Sequence, residues 1–213
     1  MSKRKSYKRA WLAAGLVGAI AAAPAVVAQQ PAQSDTGAGV RVTRDHAIDA
    51  YISEDALQAM YVRDIETDEL GRIEARGGIF FNEDRDLIGI IDGMVAVGDV
   101  APNRRIEVHV GPRMYAAFLN NENEDIFGIG VGGQARYFFN RSRTTSATLS
   151  LFYVPDILTF GAADNVQDVT LRLESQLRDG TDIYVGFRAF ELDVRAEDRE
   201  VDDNLHLGFR RNF

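Results

Sequence analysis

The sequence predicts an all-β chain: an antiparallel, up-and-down transmembrane β-barrel of eight strands, with ten as the alternative. Three observations carry this. Period-two alternation repeats eight times after Gly71. Several of these segments run to 11 residues or more, about the length of a tilted membrane-spanning strand and about twice that of an ordinary strand. Aromatic residues recur at both ends of the alternating segments.

The first 28 residues read as a secretory signal peptide. Lys3, Arg4, Lys5, Lys8 and Arg9 lead, an apolar run covers Ala10 to Val27, and Val26-Val27-Ala28 is shaped for cleavage. Its removal takes five of the 24 basic residues, leaving 19 arginines, no lysine and 32 acids, a net charge of −13. Such a chain lacks the basic footprint of a nucleic-acid partner. An all-arginine base set suits buried ion pairs, because guanidinium forks onto carboxylates. The absence of cysteine excludes zinc–thiolate sites and cysteine nucleophiles.

Residues 29–52 read as a disordered or irregular segment, and 53–213 as the barrel domain. Ser53-Glu54-Asp55 before Leu57, Met60 and Tyr61 resembles a helix start, but the same stretch allows a short strand. The eight clear strands follow at Arg72–Phe81, Leu87–Val97, Arg105–Phe118, Phe127–Phe139, Ser146–Tyr153, Val169–Arg178, Ile183–Phe190 and Asn204–Phe213. Pro112 lacks an amide donor, so a bulge is expected near Gly111-Pro112. Long connections are expected at Pro155–Asn165 and Ala196–Asp203, and short turns at Asn140–Thr144 and Asp179-Gly180. This pattern matches barrels with short periplasmic turns and longer outer loops. It puts Phe81, Phe118, Phe127 and Tyr153 in one interfacial girdle and Tyr137, Phe139, Phe209 and Phe213 in the other. Alternation alone does not say which face is inside. A soluble lipocalin-like barrel with an apolar interior reads similarly.

Short motifs add a resemblance. Leu151-Phe152-Tyr153-Val154-Pro155-Asp156-Ile157-Leu158 resembles a Tyr-x-Pro-Asp/Ser-x-Leu segment of the YfaZ-like outer membrane proteins. Tyr184-Val185-Gly186-Phe187-Arg188 resembles their Gly-Tyr-Arg strand, with Phe187 in place of the tyrosine, and Phe81-Asn82-Glu83-Asp84 their acidic first turn. The resemblance spans Asp55 to Phe213. It implies an outer-membrane barrel in a Gram-negative envelope and implies little about activity. The alternating C-terminal strand ending in Phe213 has the form that barrel-assembly machinery reads, so that machinery and outer-membrane lipid are the expected partners.

No cofactor, metal or catalytic set is expected. His46, His109 and His206 lie far apart in sequence, whereas a metal site needs about three converging ligands. Ser146, Ser150 and Ser175 have no adjacent histidine pattern, so no enzyme activity is expected. Asp49, Asp99 and residues 120–125 lack the spacing of a calcium loop. The polar strand faces hold the candidate site. Arg72, Glu74, Arg76, Asp92, Glu107, His109, Arg136, Arg172, Glu174, Arg178 and Arg188 share one parity. An eight-stranded barrel is only wide enough for its side chains, so these charges must pair. Glu74 is expected between Arg72 and Arg76, and Glu174 with Arg172 or Arg188. The expected function is a structural or interaction barrel with a plugged, charged lumen. The alternatives are a narrow conduit for small anions and, further off, a lipid-modifying enzyme.

Overall fold

The computed structural model describes residues 46–67, 71–99, 105–120, 125–161, 163–178, 180–194 and 197–213. The expected signal peptide, residues 1–28, and residues 29–45 lie outside them. The strands are β1 (His46–Ser53), β2 (Ala56–Thr67), β3 (Gly71–Asn82), β4 (Leu87–Asp99), β5 (Ile106–Phe118), β6 (Ile126–Phe138) and β7 (Thr145–Val154), followed by the two-residue β8 (Thr159–Phe160), β9 (Ala163–Arg178), β10 (Thr181–Val194) and β11 (Glu197–Asn212).

Ten of these strands close a barrel. The ladder runs from β5 through β1 to β11 and on to β6, and β5 pairs β6 to complete the ring. Every pairing is antiparallel. β8 lies outside the ring of ten. It pairs with Phe127 and Gly128 of β6, beyond the point where β7 stops at Val131↔Tyr153. Pro155 and a 3-10 turn at Asp156–Leu158 make the step between them.

Eight strands is therefore corrected to ten. Residues 46–52, expected to be irregular, form β1, and the Leu57–Tyr61 stretch lies in β2 rather than a helix. The period-two contrast is weak here for a physical reason. The inward faces carry Ala47, Tyr51, Ala56, Met60 and Val62, all buried, while Arg63 stands on the outward face. Apolar residues on both faces blur the alternation that identifies a half-buried strand.

Two local expectations also change. The ladder keeps one register across Pro112, with Asp92↔Arg113 and Val95↔Val110, and shifts instead between Ala96 and Gly98. Pro112 sits on the outer face opposite Val131, so inside–outside parity holds to Phe118. Within the expected long loop at Ala196–Asp203, residues 197–203 are strand, and β10 and β11 stay paired up to Val194↔Glu197. The β9–β10 turn is short as expected, and Gly180 there takes φ +76°, a left-handed conformation natural to glycine.

The exterior is apolar. Ile48, Ile79, Ile91, Val131, Leu173 and Leu207 are all exposed, and all eight expected girdle aromatics project outward. From Phe127 to Phe139 is twelve strand rises, which at ~3.3 Å each and a ~40° tilt span about 30 Å along the axis. That accommodates an apolar band of about 25 Å with aromatic residues at either edge. The core lies inside the barrel. Towards the end remote from the two termini it is apolar: Phe80, Ile88, Val154, Val166 and Phe190 are wholly buried and belong to one cluster.

Candidate functional site in the barrel lumen

Below the apolar layer, inward-facing charges from β3, β4, β5, β9 and β10 meet across the lumen. Asp168 is the hub. Arg188 donates to it through Nε and Nη2, both at 2.9 Å. Arg113 Nη1 donates at 2.8 Å and the Tyr115 hydroxyl at 3.0 Å. Arg113 turns its Nε and Nη2 onto Asp92 at 2.9 and 2.8 Å. Arg76 forks onto the same carboxylate at 2.7 and 3.1 Å. Arg188 Nη1 also reaches Tyr51 Oη and Gln58 Oε1 at 2.7 and 2.8 Å. Two arginines stack on the apolar layer. The Arg113 guanidinium lies 3.4 Å from the Phe152 ring centroid, and that of Arg188 lies 4.5 Å from Phe190 and 5.0 Å from Phe80. The charge tier and the plug are thus one packed body.

Closer to the termini the pairs become wetter. Arg210 donates to Glu74 at 3.2 Å, with Arg76 at 3.7 Å from the same carboxylate. Asp49 accepts from Arg172 at 3.1 Å and from the Tyr184 hydroxyl at 2.5 Å. Arg136 pairs with Glu174 at 3.1 Å and donates to Thr148 at 3.2 Å. Side-chain exposure rises from 3% at Arg188 to 17% at Arg172 and 22% at Arg136. Water therefore enters from the terminal end and stops at the plug. Between the tiers lies a cavity of about 40 Å³, bordered by Arg136, Arg172, Arg210, Thr148 and Thr170 among others.

The structure brings Glu74, Arg76, Asp92, Arg136, Arg172, Glu174 and Arg188 into this lumen. The pairing differs from expectation. Glu174 meets Arg136, and Glu74 meets Arg210 and Arg76. Arg72 stands outside the network at the terminal rim, half exposed and bound to Asp64 at 2.6 Å. Glu107 pairs with Arg143 of the β6–β7 turn. The Arg178 side chain lies outside the described residues. His109 faces inward, buried, with no partner for Nδ1.

Sequence reasoning missed Asp49, Arg113, Asp168, Arg210 and the three tyrosines. Arg113 and Tyr115 were legible had parity been carried through Pro112. Asp168 sits one residue before the expected strand start, and Asp49 lies in the strand that had not been recognised.

The other candidates resolve differently. Among the described residues no cluster of three histidines or acids is placed to hold a metal. Asp49, weighed as a cation ligand, is held by Arg172. Asp99's side chain and residues 121–124 lie outside the described set. His206 is buried, stacked 4.3 Å from Tyr51, and neither ring nitrogen has a partner. His46 lies at the rim, bonded to Tyr61 and stacked on Phe213 at 6.0 Å.

An apolar outside around a charged, hydrogen-bonded inside inverts the layout of a water-soluble barrel, and this overturns the lipocalin-like reading. The chain belongs by architecture to the closed antiparallel β-barrels with an inside-out polarity. No family model matches it, and no curated protein matches it. Solved structures with a similar chain path include the outer membrane channel DcaP of Acinetobacter baumannii, at 13% identity and TM-score 0.39. That match covers 78% of this chain and 54% of DcaP, so the chain spans about half of DcaP's length. The KdgM porin in complex with disordered oligogalacturonate matches at 7% identity and TM-score 0.41, over 79% of this chain and 98% of that one. A second structure of the KdgM porin matches at 8% identity and TM-score 0.40, over 79% of this chain and 98% of that one.

Proposed function

We propose that the mature chain is an outer-membrane β-barrel whose lumen is shut by its own side chains, and that it acts through structure or interaction rather than catalysis. The observation that carries this reading is the inversion of polarity. Dozens of outward aliphatic and aromatic side chains have no protein to cover them, while the inward charges find partners. Lipid is the medium that makes such an exterior favourable, because a closed ring of strands leaves no open sheet edge to face it. The signal-like N-terminus and the YfaZ-like motifs support the same placement.

A second reading, a narrow channel, rests on a different observation. Ten strands enclose a wider lumen than eight, and the wet tier reaches from the terminal end to the plug. Planar-bilayer recording of the refolded protein separates the two. The closed barrel gives no steady conductance above the bare membrane, and stepwise openings in most insertions would establish the channel. Membrane fractionation tests the location independently, since a mature chain recovered soluble from the periplasm overturns both.

A further inference from the structure

The wet tier of the lumen holds more hydrogen-bond donors than its acceptors use. Arg172 makes one charged contact, from Nη1 to Asp49, and stacks 4.5 Å over the Tyr184 ring. Arg210 makes one, from Nη2 to Glu74. Each guanidinium carries five N–H donors, so most of those on Arg172 and Arg210 remain unspent. Their side chains keep 17% and 14% exposure, and both line the cavity that Arg136, Thr148 and Thr170 also border. Its volume of about 40 Å³ holds about three waters at the ~10–15 Å³ that one water needs. Three heavy atoms make one carboxylate group; a phosphate, with five, is a tighter fit. Sugars and peptides are too large for it.

The chemistry of the wall fits the same class of ligand. Guanidinium groups present parallel N–H pairs that match the two oxygens of an oxyanion. Hydroxyls of Thr148 and Thr170 supply further donors, and the three carboxylates that also line the cavity, Asp49, Asp168 and Glu174, are each already paired with an arginine. The buried plug of Phe80 and Phe190 closes the side remote from the start of β1. Central Arg188, by contrast, commits four of its five donors to Asp168, Tyr51 and Gln58.

We propose that this cavity binds the oxyanion group of a small solute, a carboxylate or a phosphate, held by Arg172 and Arg210 and admitted from the end that carries the termini. The inference deepens the barrel reading, but its test needs no membrane. Refolded protein in detergent micelles is titrated calorimetrically with inorganic phosphate, with acetate, and with uncharged glycerol as the control. Saturable heat is expected with at least one anion and none with glycerol; phosphate and acetate side by side show which group is preferred. Arg172→Gln is expected to weaken binding tenfold or more, and Arg210→Gln likewise. Arg72→Gln, at the rim, leaves binding unchanged. If Arg172→Gln fails to fold because Asp49 loses its partner, the double variant Asp49→Asn/Arg172→Gln removes both charges and serves instead. No heat with either anion overturns the proposal. So does equal affinity in the double variant, or an Arg72→Gln loss as large as that of Arg172→Gln. Conductance and fractionation speak to the barrel's role, so failure there and failure here are separately visible.

Discussion

Asp168 concentrates the stability of the lumen into one carboxylate. It accepts from two arginines and a tyrosine while 2% exposed. Asp168→Asn keeps the shape but leaves Arg113 and Arg188 facing each other without the charge between them. Breaking a buried pair costs roughly 3–5 kcal/mol, so urea unfolding of refolded protein is expected to shift by that amount. Glu174→Gln is expected to cost about 1 kcal/mol or less, because its pair with Arg136 is partly wet. Leu173→Ala is expected to be mild as well, since it removes only lipid-facing contact. A Glu174→Gln loss equal to that of Asp168→Asn would mean the wet tier is as dry as the centre. The glycines make a sharper contrast. A Cβ at Gly208 would run into the Tyr184 ring, whereas one at Gly93 meets nothing within 4 Å. Gly208→Ala is expected to push Tyr184 off Asp49 and cost about 1–3 kcal/mol. Gly93→Ala, on the outer face, is expected to be neutral in the same unfolding series.

At the scale of elements, the weak member is β1. It pairs over seven residues with each neighbour, Ala47↔Asn212 to Ser53↔His206 on one side and His46↔Arg63 to Ile52↔Leu57 on the other. β10 pairs over 14 residues with each of its neighbours. The last bond of the closing seam is made by Phe213, whose amide donates to the His46 carbonyl at 2.9 Å. Deleting Phe213 removes that bond and the ring packed on His46. One hydrogen bond is worth about 0.5–1.5 kcal/mol, so equilibrium stability is expected to change little. The folded fraction recovered in membranes is expected to fall further than that, because the closing strand carries the expected assembly signal. Comparing heat-modifiable gel mobility after expression with unfolding of the purified barrel measures the two effects apart. Unchanged insertion at native expression levels counts against the assembly role.

For the whole molecule, closure comes from two stacked layers of different chemistry. Phe80 and Phe190 meet edge-on at 5.9 Å in the apolar layer, and the Asp92–Arg113–Asp168–Arg188 chain crosses the lumen beneath it. Replacing both phenylalanines by alanine leaves voids in a packed interior and removes the stacking surface of Arg188. The double variant is expected to lose stability by several kcal/mol and to show stepwise bilayer conductance that the parent lacks. A variant that is folded but electrically silent would place the seal in the charge tier alone. The outer-facing band, by contrast, is expected to tolerate apolar exchanges freely, because its side chains are exposed and the lipid proposed to surround them has no fixed shape to fit.

The alternation after Gly71, the two aromatic edges and the arginine-only base set were sufficient to define an antiparallel barrel with charges on one face. These are local properties: side-chain parity follows from strand geometry, whatever the partner strand. Glu74, Arg76, Asp92 and Arg188 could be placed on one common face for that reason, and the closed ring makes that face the inner one. The strand number and the pairing could not. β1 and β2 carry apolar residues on their inner face because they meet the plug, and only the closed ring shows that the plug exists. Glu174 finds Arg136 rather than Arg172 because register across β9, β7 and β6 sets which charges converge, and register is a relation between distant segments. The sequence by itself determined which residues share a strand face, because side-chain parity is local. The tertiary structure decided which of them touch, since Asp168 and Arg113 lie 55 positions apart and meet only where the ring brings β5 and β9 face to face.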